Sequence, residues 1–442
     1  MLEGLDAVPW KDLTHAYGPA ADVPDLIRAV TSTDEATRRD AWHALYGNLW
    51  HQGTIYEATA HAVPFFIELA RNTSVPDRDE VLAYLIKLAE GTSYSDAHQH
   101  LDSFSDRRNT PEFQRQREIE LGWVKATRDA ARQGRLSYAA LLNDEAPPNR
   151  TAAAYLLSLF PEDAKEHISH LQAHVAAGEP DERTRTWCVL SLGRLAKHDG
   201  TAAPWLNETF ASDASEAVRV AAALGLAWVE GRELPRAAHD FLIQHASDSG
   251  PAAAPFENMP WTLRDELMQF YCSEALGLIR DPDDDSLESL IGAMNQVAAY
   301  QAIEIMRSLL KRIFFDEPMP RTMTVGRLSA DQRTVLTAIA TSQKIWHNLS
   351  GRVLVTPVIA IMKEFALPTN VTRLQAFLEG RLTPQDEEWS KATRPPTKAG
   401  LELAARLRAQ AEQWIRAQAS SGKNQGQAKS GSDAGNANEE DH

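Results

Sequence analysis

Cysteine is nearly absent: Cys188 and Cys272 are the two thiols in 442 residues. They allow one disulfide at most, which excludes a disulfide scaffold. Both sit among apolar residues of expected helices, where a thiol acts as small core filler. No hydrophobic run approaches a membrane span. The longest stretches, such as Ala152–Phe160, are about half of the roughly 20 residues a spanning helix needs. Met1–Trp10 contains Glu3 and Asp6 and lacks an apolar core, so no secretory leader is expected there and the cytoplasm is the expected compartment. Runs of Lys and Arg are missing too. With 61 acidic against 45 basic side chains the net charge is -16. Such a surface repels phosphate backbones and suits a partner with a basic face. The one basic concentration, Arg107, Arg108, Arg115 and Arg117, is offset by Asp106, Glu112, Glu118 and Glu120, so no nucleic-acid partner is expected. Strand patterning is sparse throughout.

What is present is a helical repeat. Taking an arginine as origin, apolar residues fall at +3, +4, +7 and +10 after Arg78 (Val81, Leu82, Leu85, Leu88), Arg150 (Ala153, Ala154, Leu157, Phe160), Arg185 (Cys188, Val189, Leu192, Leu195) and Arg219 (Ala222, Ala223, Leu226, Val229). Arg38 begins the same way with Ala41, Trp42 and Leu45, then meets Asn48. These offsets trace one stripe on a 3.6-residue helix. The origins are spaced by 40 (38 to 78), 35 (150 to 185) and 34 (185 to 219), and the interval of 72 from 78 to 150 holds an insertion or an extra unit. A helix-containing period of this size means an α-solenoid.

A second helix fits between successive origins, at Val23–Val30, Tyr56–Ala70, Ala164–Ala176 and Ala203–Ala211. Thr54 with Glu57, Ser32 with Glu35, and Ser329 with Gln332 have capping-box spacing. Thr110-Pro111 and Thr383-Pro384 read as N-cap and first-turn proline, and Gly91, Gly178, Gly200 and Gly231 as C-terminal stops. Three segments interrupt the array. Thr92–Arg117 is a polar insertion ahead of a long helix, Glu118–Arg132, and Asp248–Pro260 is a Pro/Ala linker. Ala419–His442 has the composition of a disordered tail. Amphipathic Ala399–Ala417 is placed to cap the open end of the stack. The expected organisation is repeats over 1–90, the insertion over 91–117, repeats over 118–315, a helical module over 316–390, the capping helix over 391–418 and the tail over 419–442.

Asp144 precedes Arg150 by six residues, and Asp213 precedes Arg219 by six. In this the chain resembles the HEAT-repeat family, where a turn Asp and an early Arg of the second helix recur. The resemblance implies that Asp144, Arg150, Asp213 and Arg219, with Arg38, Arg78 and Arg185, form a ladder between units. Arg185 departs from the pattern, with Asp181 four residues earlier and Glu179 six earlier. The segments His15–Ala20 and His51–Thr59 are similar to those of a group of bacterial HEAT-repeat proteins. Leu328–Gly380 is similar to that group's C-terminal module through Leu328-Ser329, Gln332, Val335-Leu336, Trp346, Leu367-Pro368 and Leu374. The fold class implied is all-α: an α-solenoid of HEAT-like helix pairs with a helical C-terminal module.

Candidate chemistry is thin. His167, His170 and His174 share a helix face and read as solvated rather than as metal ligands. Asp281, Asp283, Asp284 and Asp285 lack the glutamate that a calcium loop needs at its twelfth position, where Gly292 stands. The densest polar and aromatic cluster is His51, Gln52, Tyr56 and Glu57, placed to line a contact with His15 and Tyr17. Local capping is the plainer reading of Thr54 and Glu57 but leaves His51 and Tyr56 unexplained. No cofactor and no metal are expected. The favoured expectation is a monomeric protein-binding scaffold that grips a protein partner, identity open, on its concave face. The alternative is a HEAT-like enzyme, a lyase or hydroxylase, with a small-molecule or metal site. HEAT-like hydroxylases hold iron with His-Glu dipeptides, which this sequence does not contain.

Overall fold

The computed structural model describes residues 1–98, 109–247, 250–261, 268–279, 286–297, 299–315, 317–346 and 355–389. Arg107 and Arg108, the acidic cluster Asp281–Asp285, the expected capping helix Ala399–Ala417 and the tail Ala419–His442 lie outside the described residues. The fold is all-α and solenoid-like, and its helices pack on near neighbours in the chain. Met1–Arg312 forms one compact unit and Ile313–His442 another. Among the described residues no helix is long and apolar enough to cross a membrane.

In the first unit, α1 (Val23–Ala29) pairs with α2 (Glu35–Asn48), and α3 (Glu57–Arg71) with α4 (Arg78–Ala89). The short α5 (Tyr94–His98) and long α6 (Pro111–Gln133) follow. Pairing resumes with α7 (Arg135–Leu141) and α8 (Pro147–Ser158), α9 (Ala164–Ala176) and α10 (Glu182–Asp199), then α11 (Ala203–Ser212) and α12 (Glu216–Glu230). The last pair is α13 (Arg236–Ser247) with α14 (Met268–Leu278); α15 (Ser286–Gln296) packs on α13 and leads into α16 (Ala299–Phe314). The second helices stack directly, α4 on α8, α8 on α10, α10 on α12 and α12 on α14. Because α4 meets α8, the long interval between Arg78 and Arg150 is an excursion. Its helix α6 lies against α3 and α4 and is tied by Arg132 to Asp163 at 2.6 Å and by Arg117 to Asp96 at 2.6 Å.

Helix starts correct four sequence expectations, at Ser32, Thr54, Glu118 and Thr383. Asp34, not Ser32, caps α2, accepting from the Thr37 N–H at 2.8 Å. A carboxylate is the better cap at the positive end of a helix, and Ser32 supports it by accepting from the Asp34 N–H at 3.1 Å. Thr54 is buried in a small hairpin and cannot reach α3; Thr59 accepts from the Tyr56 N–H at 3.0 Å instead. Ser329 and Gln332 do cap reciprocally, and Thr110 caps α6, which therefore starts at Pro111, well before Glu118. Thr383 opens no helix; its N–H and hydroxyl donate to Asp386 at 2.6 and 2.9 Å. Gly200 ends α10 with φ 74, but Gly91 is a close-packing glycine, where a Cβ would sit 2.4 Å from Ile55.

The arginines join the units. Arg38 binds Asp77 at 2.6 Å, Arg78 binds Asp144 at 2.6 Å, Arg150 grips Glu179 with two nitrogens at 2.6 and 2.8 Å, and Arg185 approaches Asp213 at 3.7 Å. Each of Arg38, Arg150 and Arg185 also donates to the main-chain oxygen six residues before it, Ser32, Asp144 and Glu179, at 2.9–3.3 Å. Glu179 thus holds the place that Asp144 and Asp213 hold in their units. Arg219 turns elsewhere: it donates to the Phe210 carbonyl at 3.0 Å and lies 4.7 Å over the Phe241 ring.

In the second unit, α17 (Ala330–Thr341), α18 (Gln343–Trp346), α19 (Val355–Glu364) and α20 (Val371–Leu378) surround a core that includes Val335, Leu336, Trp346, Leu367 and Leu374. The Trp389 indole closes this core by donating to the Ala366 carbonyl at 3.1 Å.

Two stability measurements follow from this packing. A Cβ at Gly193 on α10 would sit 2.6 Å from the Gly225 Cα on α12, a backbone atom that cannot give way. Gly193→Ala is expected to destabilise by about 2 kcal/mol or more, although alanine is favoured by about 1 kcal/mol on helix propensity alone. Gly122→Ala on α6, where nothing lies within 4 Å, should stabilise by about that propensity gain. Equal signs in urea unfolding would refute the close approach. For the ladder, burial raises the Glu179 carboxyl, but Arg150, the Asp181 N–H and His174 outweigh it and hold the group below its ordinary range. A depressed carboxyl contributes stability above its unfolded pKa, about 4.3, and loses it as pH falls through the folded value. Glu179→Gln should cost about 3 kcal/mol at pH 7, and its gap to wild type should shrink below about pH 4. A gap constant from neutral to acid pH would exclude the charge as the source.

Candidate functional site

Two clusters in the first unit carry polar and aromatic side chains beyond what packing asks. The first is a corner made of two hairpins, β1 (Thr14–His15) with β2 (Gly18–Pro19) and β3 (Trp50–His51) with β4 (Thr54–Ile55). Gln52 and Gly53, at φ 53 and 96, form the two-residue turn between β3 and β4. The side chains that the sequence points to are gathered here. The His51 Nδ1 meets the Tyr17 hydroxyl at 3.3 Å, and the two rings stand edge to face at 5.5 Å. Tyr17 is 69% exposed. The His15 Nδ1 accepts from the Tyr17 N–H at 3.0 Å, leaving the other ring nitrogen to Asp22 at 3.1 Å. Glu57 accepts from the Thr14 hydroxyl at 2.9 Å, so it ties α3 to β1 and neither caps nor pairs with His51. The Tyr56 hydroxyl meets Thr54 at 2.9 Å; burial raises its pKa, with Tyr94, Tyr17 and Glu120 adding to the shift. His51 and Glu57 have separate partners, so the corner offers contacts rather than acid–base work.

The second cluster escapes the repeat analysis because it lies on the opposite side of the second helices. Measured from the same arginine origins, positions +2, +5, +9 and +12 give Glu80, Lys87 and Glu90 on α4, Tyr155 on α8, and Trp187 and Arg194 on α10. These offsets point away from the +3, +4, +7, +10 stripe. In a two-layer stack this side is free; here it carries buried polar groups. The Tyr155 hydroxyl donates to Glu90 at 2.7 Å, and Arg194 lies 4.7 Å over the Tyr155 ring and 3.8 Å from Glu90. Lys87 is 8% exposed, with its ammonium 5.2 Å from the Trp50 ring centre. Burial raises the Tyr155 pKa, with Glu90 adding to it and Arg194 opposing, so at neutral pH this hydroxyl is a donor and not a base.

A segment of the chain itself covers this side. Pro251–Trp261, the expected linker, packs on α10, α12 and α14. Its carbonyls are its handles: Arg183 donates to Ala254 at 3.1 Å, the Trp187 indole to Pro255 at 2.9 Å, and Lys87 to Trp261 at 3.2 Å. Phe256 and Trp261 supply the apolar contact. Trp261 stacks on Tyr155 at 5.6 Å and stands edge-on to Trp187 at 5.5 Å. Trp261 is therefore buried rather than at a turn surface, and Asp248–Pro260 is not a free linker over its described part.

The histidine helix α9 differs from expectation. His167 is buried, its Nδ1 held by the Leu157 carbonyl at 2.8 Å, and His174 meets Glu179 at 2.6 Å; His170 alone of the three is well exposed. Its first and last histidines thus face α8 and the ladder. Among the described residues no three His, Cys, Asp or Glu side chains converge on a point that would hold a metal ion. Cys188 and Cys272 are buried free thiols whose pKa burial pushes up, so neither is a nucleophile at neutral pH.

No family model matches the sequence, and no curated protein matches it. Among solved structures, the crystal structure of an engineered protein aligns over 78% of this chain and 92% of its own length at 16% identity, with a TM-score of 0.28. A likeness that distant carries no argument about function, and the reading rests on the residues of the chain itself.

Proposed function

We propose that this chain is a protein-binding solenoid that holds a short peptide segment of a partner on the free side of its second helices. One observation carries the reading: Arg183, the Trp187 indole and Lys87 already donate to three carbonyls, those of Ala254, Pro255 and Trp261, in a segment that begins as a 3-10 helix over Pro251–Phe256, at 2.9–3.2 Å, while Tyr155 and Trp187 take its aromatic ring. Donors aimed at main-chain oxygens, flanked by aromatic walls, hold a chain segment with little dependence on its sequence. Buried Lys87 and the Glu90–Tyr155–Arg194 set support the same reading, since a face serving stability alone does as well with packed apolar residues. The ladder, with an acid before each of Arg78, Arg150, Arg185 and Arg219, supports placing the chain among HEAT-type repeat proteins. Two reduced, buried cysteines are consistent with a cytoplasmic setting. The hairpin corner, with exposed Tyr17, is a secondary contact in this reading.

The test is a set of parallel pull-downs from native cytoplasm, read by quantitative mass spectrometry. Wild type, a face variant (Arg183→Ala/Arg194→Ala) and a corner variant (Tyr17→Ala/His51→Ala) are compared after circular dichroism shows that each is folded. A stoichiometric partner is expected with wild type and the corner variant, and at least ten-fold less with the face variant. Loss with the corner variant alone would move the site to the hairpins. Recovery of nothing but the isolated chain in all three would defeat the binding reading.

A further inference from the structure

The covering segment raises a question of its own: a binding face that is already filled must be emptied before a partner can use it. Pro251–Trp261 differs from the helices beneath it in how it is held. Its backbone hydrogen bonds among the described residues run within the segment, Ala253 to Gly250 and Glu257 to Ala254. Its grip on the stack includes side-chain donors to three carbonyls, the rings of Phe256 and Trp261, and the buried side chains of Ala252, Ala253 and Met259. Among the described residues the Trp261 indole N–H is buried with no hydrogen-bond partner, as is the Ser191 hydroxyl on α10. A buried donor of this kind gains hydrogen bonds to water when it leaves the face. No repeat position depends on the segment: the core stripe of α10, from Cys188 to Leu195, points to the opposite side.

From these features we infer that Pro251–Trp261 is a built-in occupant of the peptide face, displaced by a partner segment of the same chemistry. The inference rests on the binding function proposed above and adds its regulation and the class of its ligand. That ligand is a short, proline-punctuated stretch that takes a 3-10 turn as Pro251–Phe256 does, with one or two aromatic anchors and without basic side chains, because the donors that meet it, Lys87, Arg183 and the Trp187 indole, recognise carbonyl oxygens. The net acidity of the chain does not describe this face. Tethering makes the occupant effective without tight binding. A face open for a tenth of the time or less weakens an external peptide at least ten-fold.

The probe is a dye-labelled synthetic peptide of residues 250–261, Gly-Pro-Ala-Ala-Ala-Pro-Phe-Glu-Asn-Met-Pro-Trp, titrated by fluorescence anisotropy against the full chain. The opened protein is Phe256→Ala/Trp261→Ala, which keeps the segment and removes its anchors. The peptide is expected to bind the opened protein at least ten-fold more tightly than wild type, and a peptide lacking both rings to bind neither. Equal affinity for the two proteins, or none for either, overturns the inference. Hydrogen exchange on wild type decides the case in which the opened protein does not fold. Amides of 250–261 are expected to exchange while those of α10 and α12 stay protected; exchange of the segment only with global unfolding makes it a core element and sinks the proposal. The two readings fail separately. A partner recovered equally by wild type and opened protein, and not competed by the peptide, removes the built-in occupant and leaves a binding protein. Peptide binding to the opened protein without any cellular partner leaves the occupant and removes the proposed function.

Discussion

Everything in the first unit depends on how one second helix is registered on the next, and the arginine rung does that. Arg150 shows how a guanidinium is held from both ends: it takes the Asp144 and Glu145 carbonyls of its own turn at 2.9 and 3.0 Å and the Glu179 carboxylate of the next at 2.6 Å. The planar fork of arginine suits this double task, where lysine would meet one side only. Apolar stripes alone allow helices to slide by a turn with little change in buried area, whereas a bidentate pair does not. The rung from Arg78 to Asp144 is the clearest case, because it keeps α4 against α8 across an excursion of 66 residues. Closing so long a loop adds little entropy beyond closing a short one, so the insertion carrying α5 and α6 is tolerated once the rung is made.

With registry set, spacing is decided locally, and the two ends of the row decide it differently. Between α2 and α4 the contact is aromatic: Trp42 and Tyr84 meet edge to face at 5.4 Å, Tyr46 and Tyr84 at 4.8 Å, and the Tyr84 hydroxyl donates to the Leu45 carbonyl at 2.7 Å. Between α10 and α12 it is glycine on glycine, with Gly193 facing Gly225. Rings hold helix axes apart and paired glycines draw them together. Glycine inside a helix costs about 1 kcal/mol relative to alanine, so two of them facing one another mark a place where backbone contact outweighs propensity.

Most of the fold was legible because it repeats. The stripe after Arg78, Arg150, Arg185 and Arg219 found the second helices, and the bounds Ala164–Ala176 came directly from turn residues on either side. Two acids of the ladder, Asp144 and Asp213, were legible too, whereas Asp77 and Glu179 entered it only when the structure showed their arginine partners, Arg38 and Arg150. Helix starts were less so: Ser32 has the spacing of a capping box, but Asp34 lies nearer and carries a charge. His167 was read as solvated because it shares a helix face with His170 and His174; it is buried, its Nδ1 held by the Leu157 carbonyl of α8 at 2.8 Å. The corner residues His51 and Tyr56 stood out as chemistry without a local reason, yet nothing in the sequence ties His51 to Tyr17, which lies 34 residues away. Pro251–Trp261 was the hardest to read. It has no period, and its contacts with Arg183, Trp187 and Lys87 span 68 to 174 residues. Composition marks such a stretch as linker, and only tertiary structure shows what it lies on.

The offsets +2, +5, +9 and +12 form a stripe that does not obey the rule of the first one. A structural face of a solenoid is filled with Leu, Val and Ala, as the core stripe is. The opposite face here holds Lys87, Glu90, Tyr155, Trp187 and Arg194 among Ala83, Ala152, Leu159 and Leu190, and then buries much of them under a second layer. Burying an ammonium costs several kcal/mol unless it is paired, and among the partners of Lys87 are the Trp261 carbonyl at 3.2 Å and the Trp50 ring at 5.2 Å. On the binding reading proposed above, the carbonyl contact is the one that a partner segment takes over, since a main-chain oxygen offers the same acceptor whichever chain it belongs to.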